Sequence, residues 1–545
     1  MMSGTRHRSR GVLALSAGLL VVLGACSSAS TTPAPASSGP AASSAVASAS
    51  AAGGSATSAP ASANASAAAS GPTFVVASTM SVQKLDPQVA TNFLDVQALG
   101  LVYDTLVKFD QQLQIVPDLA TSWSFSSDRL TLTFQLRQGV KFDDGHTFSS
   151  ADVVATVQRL KDPKTGAAAA SYLASVQSVQ ADGPDAVSFK LSHPDMSILS
   201  GLTSTNLAML SASAIQANTV STQPDGTGPF EFVNWTPNDS FTVKANPGWW
   251  GGTVSLGSVK ISTIPSEQSI ASALQAGTVQ LGLLTQPQIA THLPSSYPVQ
   301  KVLDLTYRAL MLQDKSGPLA NVNNRLAMAC AIDRTQVLDA AVFGQGQVVG
   351  PVPLGQYASN PISAVCAKPD LAQAKQYLQK AGDPNGFTFT ALTSTELDPT
   401  SNAQAVAIQS QLAQVGIKMN IQNLAGNAYV QDWLKGTFQA AFAWNGANPD
   451  PYTMYGRYFG PGANLATPAG YSSTKLQDII TTGDQATDPS AAAQAWSQLS
   501  QELTSQAVWI WLFSSYDYAV LAPNVHGFQI SPTRSLQSLA QTTIQ

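Results

Sequence analysis

The stretch RLTLTFQLRQGVKFDDGHTFSSADVVATVQRL, residues 129–160, sets a pattern that the rest of the chain repeats. Alternating apolar and polar residues over 129–137 predict a half-buried β-strand, and the Asp-Gly pair at 144–145 predicts a turn. Ser149 lies three residues before Asp152, a spacing typical of a helix N-terminus, and apolar residues follow at helical spacing. The stretch therefore predicts a strand, a turn and a helix in succession.

Later segments alternate in the same way. Helical patterns occur at 371–378, 408–415 and 496–503, and the first is preceded by an Asp370 cap and followed by Gly382. Strand patterns occur at 187–191, 417–421 and 508–512. Strands that alternate with helices predict an α/β architecture with mixed sheets.

The first 26 residues predict export. Three Arg residues, at positions 6, 8 and 10, precede an apolar run at 11–23 that ends in small residues. The run is short for a membrane span, which needs about 20 residues. Cys26 directly follows Leu-Gly-Ala, which resembles a bacterial lipobox, where cleavage leaves the Cys as the lipid-bearing first residue. The alternative is an ordinary secretory signal in which the Cys is incidental.

Residues 27–72 predict a tether. They are Ala, Ser, Thr, Pro and Gly apart from Val46 and Asn64, with no charged or aromatic residue. Such a segment cannot bury enough apolar surface to offset its ordering entropy, so we expect disorder. As a flexible coil it would span about 35–40 Å root-mean-square.

The remaining 73–545 segment exceeds the size at which a single core keeps growing, so two or more lobes are expected. Of the 27 Lys and Arg, three lie in the signal, which leaves 24 against 32 Asp and Glu. This acidic balance argues against nucleic-acid binding, which needs a clustered basic face.

Common catalytic signatures are missing from the sequence. There is no G-x-S-x-G nucleophile elbow and no P-loop, and no two His residues stand at i, i+4 spacing. No metal or cofactor is therefore predicted, and the balance favours a binding protein over an enzyme. Cys330 and Cys366, in a compartment that permits disulfides, are either bridged or two buried thiols.

Nine short blocks occur in a characteristic order. They are LDP at 85–87, YDTLV at 103–107, PDLA at 117–120, LRQGVKFDDG at 136–145, SADVV at 150–154, GTGPF at 226–230, NPGWW at 246–250, AIDR at 331–334 and DP at 450–451. Together they resemble the bacterial extracellular solute-binding proteins of family 5, which serve peptide- and nickel-type ABC importers. The resemblance covers nearly all of residues 74–545.

The resemblance implies a periplasmic-binding-protein-like type II fold, an α/β fold of two lobes with an additional inserted domain. A discontinuous lobe I would comprise 73–109, 222–305 and 510–545. The inserted domain would occupy 110–221, and lobe II would occupy 306–509. The solute would lie between the lobes, and closure would bury it.

The resemblance also implies a function. The chain would be a monomeric, lipid-anchored protein on the extracytoplasmic face of the cell membrane, capturing a peptide or peptide-like solute for an ABC permease. The alternatives are a lipoprotein enzyme acting on cell-wall or carbohydrate material, and a sensor that presents its ligand to another protein.

The predicted solute site centres on residues 444–451. In peptide-binding relatives a Trp-x-x-Asp sequence supplies the carboxylate that pairs with the peptide's α-amino group. Here Trp444 is present, but Ala447 holds the Asp position. A buried ammonium without a carboxylate is costly, so Asp450 or Asn448 would have to substitute, or the solute would be a sugar, another amide-rich solute or a differently held peptide.

Six residues are predicted to contact the solute: Trp444, Asn445, Asn448, Asp450, Phe93 and Tyr471. Each has a structural alternative, because Trp444 could be core, the two Asn residues could form turns, and Asp450 could cap a helix. The distinctive Arg137 and Asp143-Asp144-Gly145 block and the Trp pair at 249–250 are interpreted as architectural.

Overall fold

The computed structural model describes residues 73–352, 355, 357, 365–446 and 448–545. The predicted signal, the lipid site at Cys26, the tether and Ala447 lie outside the described residues. Within the described part of the chain, no helix is both long and apolar enough to cross a membrane.

The strands of the described residues are numbered in chain order. They are β1 Thr73–Ser78, β2 Val107–Phe109, β3 Ile115–Pro117, β4 Ala120–Phe125, β5 Thr131–Leu136, β6 Val176–Ala181, β7 Ala186–Leu191, β8 Phe230–Thr236, β9 Ser240–Ala245, β10 Ser258–Thr263, β11 Leu281–Leu284, β12 Val299–Leu303, β13 Tyr307–Leu312, β14 Gly346–Val348, β15 Thr388–Thr393, β16 Lys418–Asn423, β17 Ala440–Asn445, β18 Trp509–Leu521, β19 Val525–His526 and β20 Thr543–Ile544.

The α-helices are numbered in the same way. They are α1 Phe93–Leu99, α2 Ser150–Lys161, α3 Ile198–Gly201, α4 Ala212–Ala217, α5 Glu267–Gln275, α6 Pro287–Thr291, α7 Val322–Ala331, α8 Arg334–Val342, α9 Leu371–Ala381, α10 Ser401–Ala413, α11 Gly426–Lys435, α12 Pro451–Phe459, α13 Ala466–Ala469, α14 Thr474–Asp484 and α15 Pro489–Ser505.

Local sequence chemistry sets several helix ends as predicted. The Asp152 carboxylate accepts a hydrogen bond from the Ser149 backbone N–H at 2.9 Å, which fixes the start of α2. Asp370 accepts from the Gln373 N–H at 2.8 Å at the start of α9. Gly382, in the left-handed conformation at φ +85°, ends α9.

One long strand joins two halves of a twelve-stranded sheet, ordered β16-β15-β17-β13-β18-β11-β1-β10-β9-β8, with β12 and β14 also paired to β18. The first part of β18, residues 509–513, pairs with β13, and the part from 516 to 521 pairs with β11 and β12. The sequence pattern at 508–512 predicted only the first third of this strand. The rest, from Ser514 to Leu521, mixes polar with apolar residues, yet it is nearly all buried.

A separate four-stranded antiparallel sheet, ordered β4-β5-β7-β6, lies within residues 120–191. The alternation predicted at 129–137 appears as β5, whose Leu132 and Phe134 are fully buried. Phe134 contacts Phe189 of β7 edge to face, with the ring centroids 5.6 Å apart. These residues and the apolar face of α2 form a hydrophobic cluster of their own.

The most distinctive sequence blocks converge on a buried polar cluster beside this sheet. The Trp250 indole donates to the Asp104 carboxylate at 2.9 Å, and Lys108 pairs with Asp118 at 2.9 Å. The Arg137 guanidinium lies over the Trp250 ring, 4.1 Å from its centroid. These contacts support the architectural interpretation of Arg137 and Trp250, since both engage protein groups.

Cys330 and Cys366 form a disulfide, with their Cα atoms 5.1 Å apart. Of the two alternatives that the sequence left open, the structure selects the bridge. Both residues are buried in the cluster formed by α7 to α10 and the neighbouring strands. The bridge ties the end of α7 to the segment that precedes α9.

Removing this bridge should lower stability. A bridge with a sequence separation of 36 restricts the unfolded chain by about 3–4 kcal/mol in the chain-entropy model. We expect the double variant Cys330→Ser/Cys366→Ser to lose free energy of unfolding on this scale in urea titrations. Cys26→Ser is the matched control and should unfold at the wild-type urea concentration; equal midpoints for all three proteins would contradict the bridge.

Candidate functional site

A large open cavity, about 1010 Å³, lies between α14 and α15. A smaller cavity of about 150 Å³ lies where three distant parts of the chain meet, and for this position we call it the main cavity. One wall is α1 and the turn after it, with Gln97, Tyr103 and Thr105. A second wall comprises Tyr172 and residues 203–205. The remaining lining includes Asn448 and the C-terminal residues Thr533, Ser535 and Gln537.

Asn448 holds two of these walls together. Its side-chain oxygen accepts a hydrogen bond from the Ser200 hydroxyl at 2.9 Å and another from the Asp450 backbone N–H at 2.9 Å. Ser200 lies on α3, whereas Asn448 follows β17, so the first bond joins segments 248 residues apart. The Asn448 amide nitrogen has no hydrogen-bond partner among the described residues.

Two smaller cavities flank the main one. The second cavity, about 80 Å³, shares Gln97 and Ser535 with the main cavity and is also lined by Phe93 and Arg534. The third, about 20 Å³, shares Phe109 with it. The three cavities are therefore neighbours at the junction of the chain segments.

A buried carboxylate–arginine network lies beside the second cavity, and it comprises Asp304, Arg308, Asp398, Asp517 and Arg534. Arg534 pairs with both Asp304 and Asp517, at 2.6 Å each. Arg308 approaches Asp304 and Asp398, at 3.6 Å each. The network lies where the pairing of β18 changes from β13 to β11 and β12. Asp304 directly precedes the segment that leads into β13, and Asp517 belongs to the second part of β18.

Three of the six predicted solute residues lie on these cavities. Asn448 lines the main cavity, Phe93 the second and Asp450 the third. Phe93 lies under the Arg534 guanidinium, 4.8 Å from the ring centroid. The Asp450 carboxylate accepts a hydrogen bond from the Thr453 N–H at 2.8 Å, so Asp450 caps α12. A helix cap was the structural alternative to solute contact for this residue.

The other three predicted residues line none of these cavities. Trp444 lies opposite Arg308 in the β13–β17 pairing, and Asn445, one residue on, points to the other face of the strand. The Asn445 amide contacts the Tyr458 hydroxyl and the Arg457 guanidinium, each at 2.6 Å.

Tyr471 follows Gly470, whose backbone carbonyl accepts a hydrogen bond from the Asp314 backbone N–H. Asp314 lies two residues beyond the end of β13. Asp314 is six residues along the chain from Arg308, the residue opposite Trp444, which corresponds to roughly 20 Å at about 3.3 Å per residue. The structure therefore does not bring Tyr471 together with Trp444. Solute contact by either residue, or by Asn445, stays a prediction.

Several cavity residues were missed by the sequence reasoning. Tyr103 and Thr105 fall in a block that resembles the family, but Tyr172, residues 203–205 and the C-terminal Ser and Thr carry no motif. They meet only because α3 and the C-terminal segment fold back against α1. A local pattern contains no signal for that juxtaposition.

A buried acidic group lies behind the third cavity. The Asp484 carboxyl at the end of α14 contacts Asp195, and Asp450 is close enough to repel it. Burial, followed by repulsion from these two carboxylates, raises the pKa of Asp484 to about 9. His193 lies 4.0 Å away and Met196 donates its backbone N–H to the Asp484 carbonyl at 2.8 Å.

No group of three or more His, Cys, Asp or Glu side chains in the described ranges is arranged to hold a metal ion. The cavities offer hydroxyls, amides and aromatic faces instead of a nucleophile paired with a base. This arrangement suits reversible capture of a solute.

Comparison with known proteins identifies relatives of the chain. The family model described as "Bacterial extracellular solute-binding proteins, family 5 Middle" matches residues 114–466. Heme-binding protein A of Haemophilus influenzae is 28% identical over 471 residues, covering 79% of this chain and 85% of that protein. The glutathione-binding protein GsiB of Escherichia coli K12 is 26% identical over 477 residues, covering 84% and 92%.

Solved structures share the fold. The periplasmic binding protein DppA of Helicobacter pylori, in complex with the peptide STSA, superposes with a TM-score of 0.73 at 25% identity, over 87% of this chain and 98% of that one. The substrate-binding protein CtaP of Listeria monocytogenes has a TM-score of 0.78 at 18% identity, over 87% and 99%. The predicted type II two-lobe α/β fold is confirmed. These relatives are binding proteins, which also confirms the prediction that the chain is not an enzyme.

Truncating Arg534 should be severely destabilising. The change Arg534→Met leaves Asp304 and Asp517 buried without their shared cation, which costs roughly 3–5 kcal/mol. Urea unfolding measures the loss. Lys244→Met is the matched control, because Lys244 is half exposed where it pairs with Glu231 and should cost under about 1 kcal/mol. Equal losses in the two variants would contradict a structural role for the network.

Asp484 should make stability fall as pH rises. Because the folded-state pKa is raised, the folded protein binds the proton more tightly, and stability declines between the unfolded pKa near 4 and the folded pKa near 9. The slope should approach about 1.4 kcal/mol per pH unit. We expect Asp484→Asn to flatten this slope and to be more stable than wild type at pH 8. Asp478→Asn, on the exposed face of α14, is the control; a wild-type slope in Asp484→Asn would refute the assignment.

Proposed function

Because the chain belongs to the bacterial extracellular solute-binding proteins of family 5, we propose that it captures a peptide or peptide-like solute in the main cavity and delivers it to an ABC permease. Proteins of this family are extracytoplasmic binding components of ABC importers. The observation that carries the proposal is the position of the main cavity, at the junction of three chain segments that only the folded chain brings together.

The predicted domain boundaries account for that junction. We propose that 73–109, 222–305 and 510–545 form lobe I, that 110–221 form the inserted domain, and that 306–509 form lobe II. The hydrophobic clusters support the cores of this division, since the cluster around β5 draws its residues from 106–209 and the cluster around α7 draws its residues from 310–513. At the boundaries, 106–107 pack with the inserted domain and 510–513 pack with lobe II. Lobe I, the inserted domain and lobe II then each contribute residues to the lining of the main cavity.

Capture requires the walls to move. Pockets that hold small molecules usually measure about 300–1,000 Å³, whereas the main cavity measures about 150 Å³. A peptide-sized solute therefore enters when lobe II swings away, and closure re-forms contacts such as that between Ser200 and Asn448. Bending is expected at residues 514–517 and 304–306, where the strands pass from one half of the sheet to the other.

The lipid anchor is a proposal from sequence alone. Cys26 and the 46 uncharged residues that follow it would hold the folded part within reach of a membrane permease while leaving it free to move. The protein acts as a monomer in this scheme, because each chain carries all three walls of the cavity.

The relatives bind diverse solutes. Their names specify heme, glutathione and a peptide. A shared fold therefore does not fix the solute of this chain, and the side chains of the cavity must do so. Peptides and peptide-like molecules are the class that we propose, because the walls offer amide and hydroxyl partners for a backbone.

Loss of the Asn448 side chain should weaken capture. We expect solute to co-purify with the wild-type protein and to be identified by mass spectrometry after denaturation. Asn448→Ala removes a wall contact and a free N–H donor, and the affinity for that solute should fall at least tenfold in calorimetry. Asn420→Ala, on the exposed edge strand β16, should bind as wild type does. Equal affinity in Asn448→Ala would place the solute elsewhere.

A further inference from the structure

The main cavity has no charged wall. Its lining carries the hydroxyls of threonine and serine residues and the amides of Gln97, Asn448 and Gln537, and none of its residues is Asp, Glu, Lys, Arg or His. Two phenols, Tyr103 and Tyr172, complete the polar surface, and burial raises the pKa of both above the usual value. Every side chain of the lining is therefore neutral at physiological pH.

Charged side chains on the neighbouring cavities are already committed to protein partners. Arg534 lies between two carboxylates at 2.6 Å. The Glu267 carboxylate accepts three hydrogen bonds, from the backbone and hydroxyl of Thr285 and from the Gln286 N–H, at 2.7–2.9 Å. Asp450 caps α12. All three therefore already make ion pairs or hydrogen bonds within the protein.

The stretch 353–364 and position 447 contain no charged residue in the sequence. Residues 353–364 read PLGQYASNPISA and position 447 is Ala, so neither contains Asp, Glu, Lys, Arg or His. No side chain that lines the main cavity would therefore supply a counter-charge to a charged solute group. Burying such a group without a partner costs several kcal/mol.

Neutral hydrogen-bonding groups, in contrast, are available. The Asn448 amide nitrogen, the Thr205 hydroxyl and the Gln97 side-chain oxygen have no hydrogen-bond partner among the described residues, and each residue lines the main cavity. They provide both donors and acceptors. The aromatic rings of Tyr103, Phe109 and Tyr172 line the same space and offer flat apolar faces.

We propose that the part of the solute that fills the main cavity is uncharged and carries hydroxyl or amide groups. An oligosaccharide and the interior of a peptide share this chemistry. The inference rests on the proposed function and narrows it, since it excludes recognition of a free α-amino or α-carboxylate group in the main cavity.

Matched ligand libraries test the inference on the full-length protein. The probes are a tripeptide library with free termini, the same library acetylated and amidated, and a panel of neutral di- and trisaccharides. Thermal shift would rank the probes and calorimetry would give Kd. We expect the blocked peptides or the saccharides to bind at least tenfold more tightly than the free peptides, with less than twofold change in Kd between 20 and 500 mM NaCl, because an uncharged contact is not screened.

The possible results separate the two proposals. Tighter binding of saccharides than of blocked peptides supports the inference, assigns the solute to carbohydrates and overturns the peptide class of the proposed function. The reverse order supports the inference and assigns a peptide interior. Free peptides that bind tenfold more tightly than blocked ones would overturn the inference while leaving solute capture intact. No binding by any probe, and no co-purified solute, would overturn the proposed function and the inference together.

An isosteric charge provides a second test. Asn448→Asp replaces only the unpartnered amide nitrogen and places a carboxylate on the cavity wall, while the oxygen that Ser200 contacts is kept. We expect this variant to bind the best neutral probe at least tenfold more weakly and to gain affinity for free-amine peptides. Asn420→Asp, exposed on β16, is the control and should bind as wild type does. Unchanged preference in Asn448→Asp would contradict the inference.

Discussion

The strand β18 is the constraint on which the rest of the molecule depends. Its 13 residues extend about 43 Å, at about 3.3 Å per residue. Its first part pairs with β13 and its second part with β11 and β12, so it belongs to both halves of the large sheet. Side chains from the strand enter four hydrophobic clusters. The halves therefore cannot slide apart, and relative motion must bend the strand near residues 514–517.

The charges around that bend follow from the same constraint. Asp517 lies on β18 and Asp304 on the connection between β12 and β13, and Arg534 of the C-terminal segment pairs with both. Because the second cavity is lined by Asp517 and Arg534, the cavities lie next to the point of bending. In the proposed closure, a small rotation there would change the width of the main cavity.

Sequence patterns predicted the elements that depend on local chemistry. The Ser149–Asp152 capping box and the alternation in β5 are short-range features, and both appear at the predicted residues. The polar half of β18 was missed because its burial comes from neighbours on both sides of the sheet. The cavity residues were missed for a related reason, since Tyr172, Thr205 and Ser535 meet only through the tertiary fold. The distinctive sequence blocks, by contrast, mark the architectural cluster around Asp104 and Trp250, so they identify the family better than they identify the solute.

Distance measurement between the two outer strands of the large sheet tests the central claim, that a solute is captured by closure of the two halves. Spin labels at Asn234 and Asn420, exposed on β8 and β16, would be attached in a Cys26→Ser background and their separation measured by pulsed electron paramagnetic resonance. The account predicts a broad distance distribution without solute, which narrows with the co-purified solute to the separation in this structure. An identical distribution with and without saturating solute would contradict it.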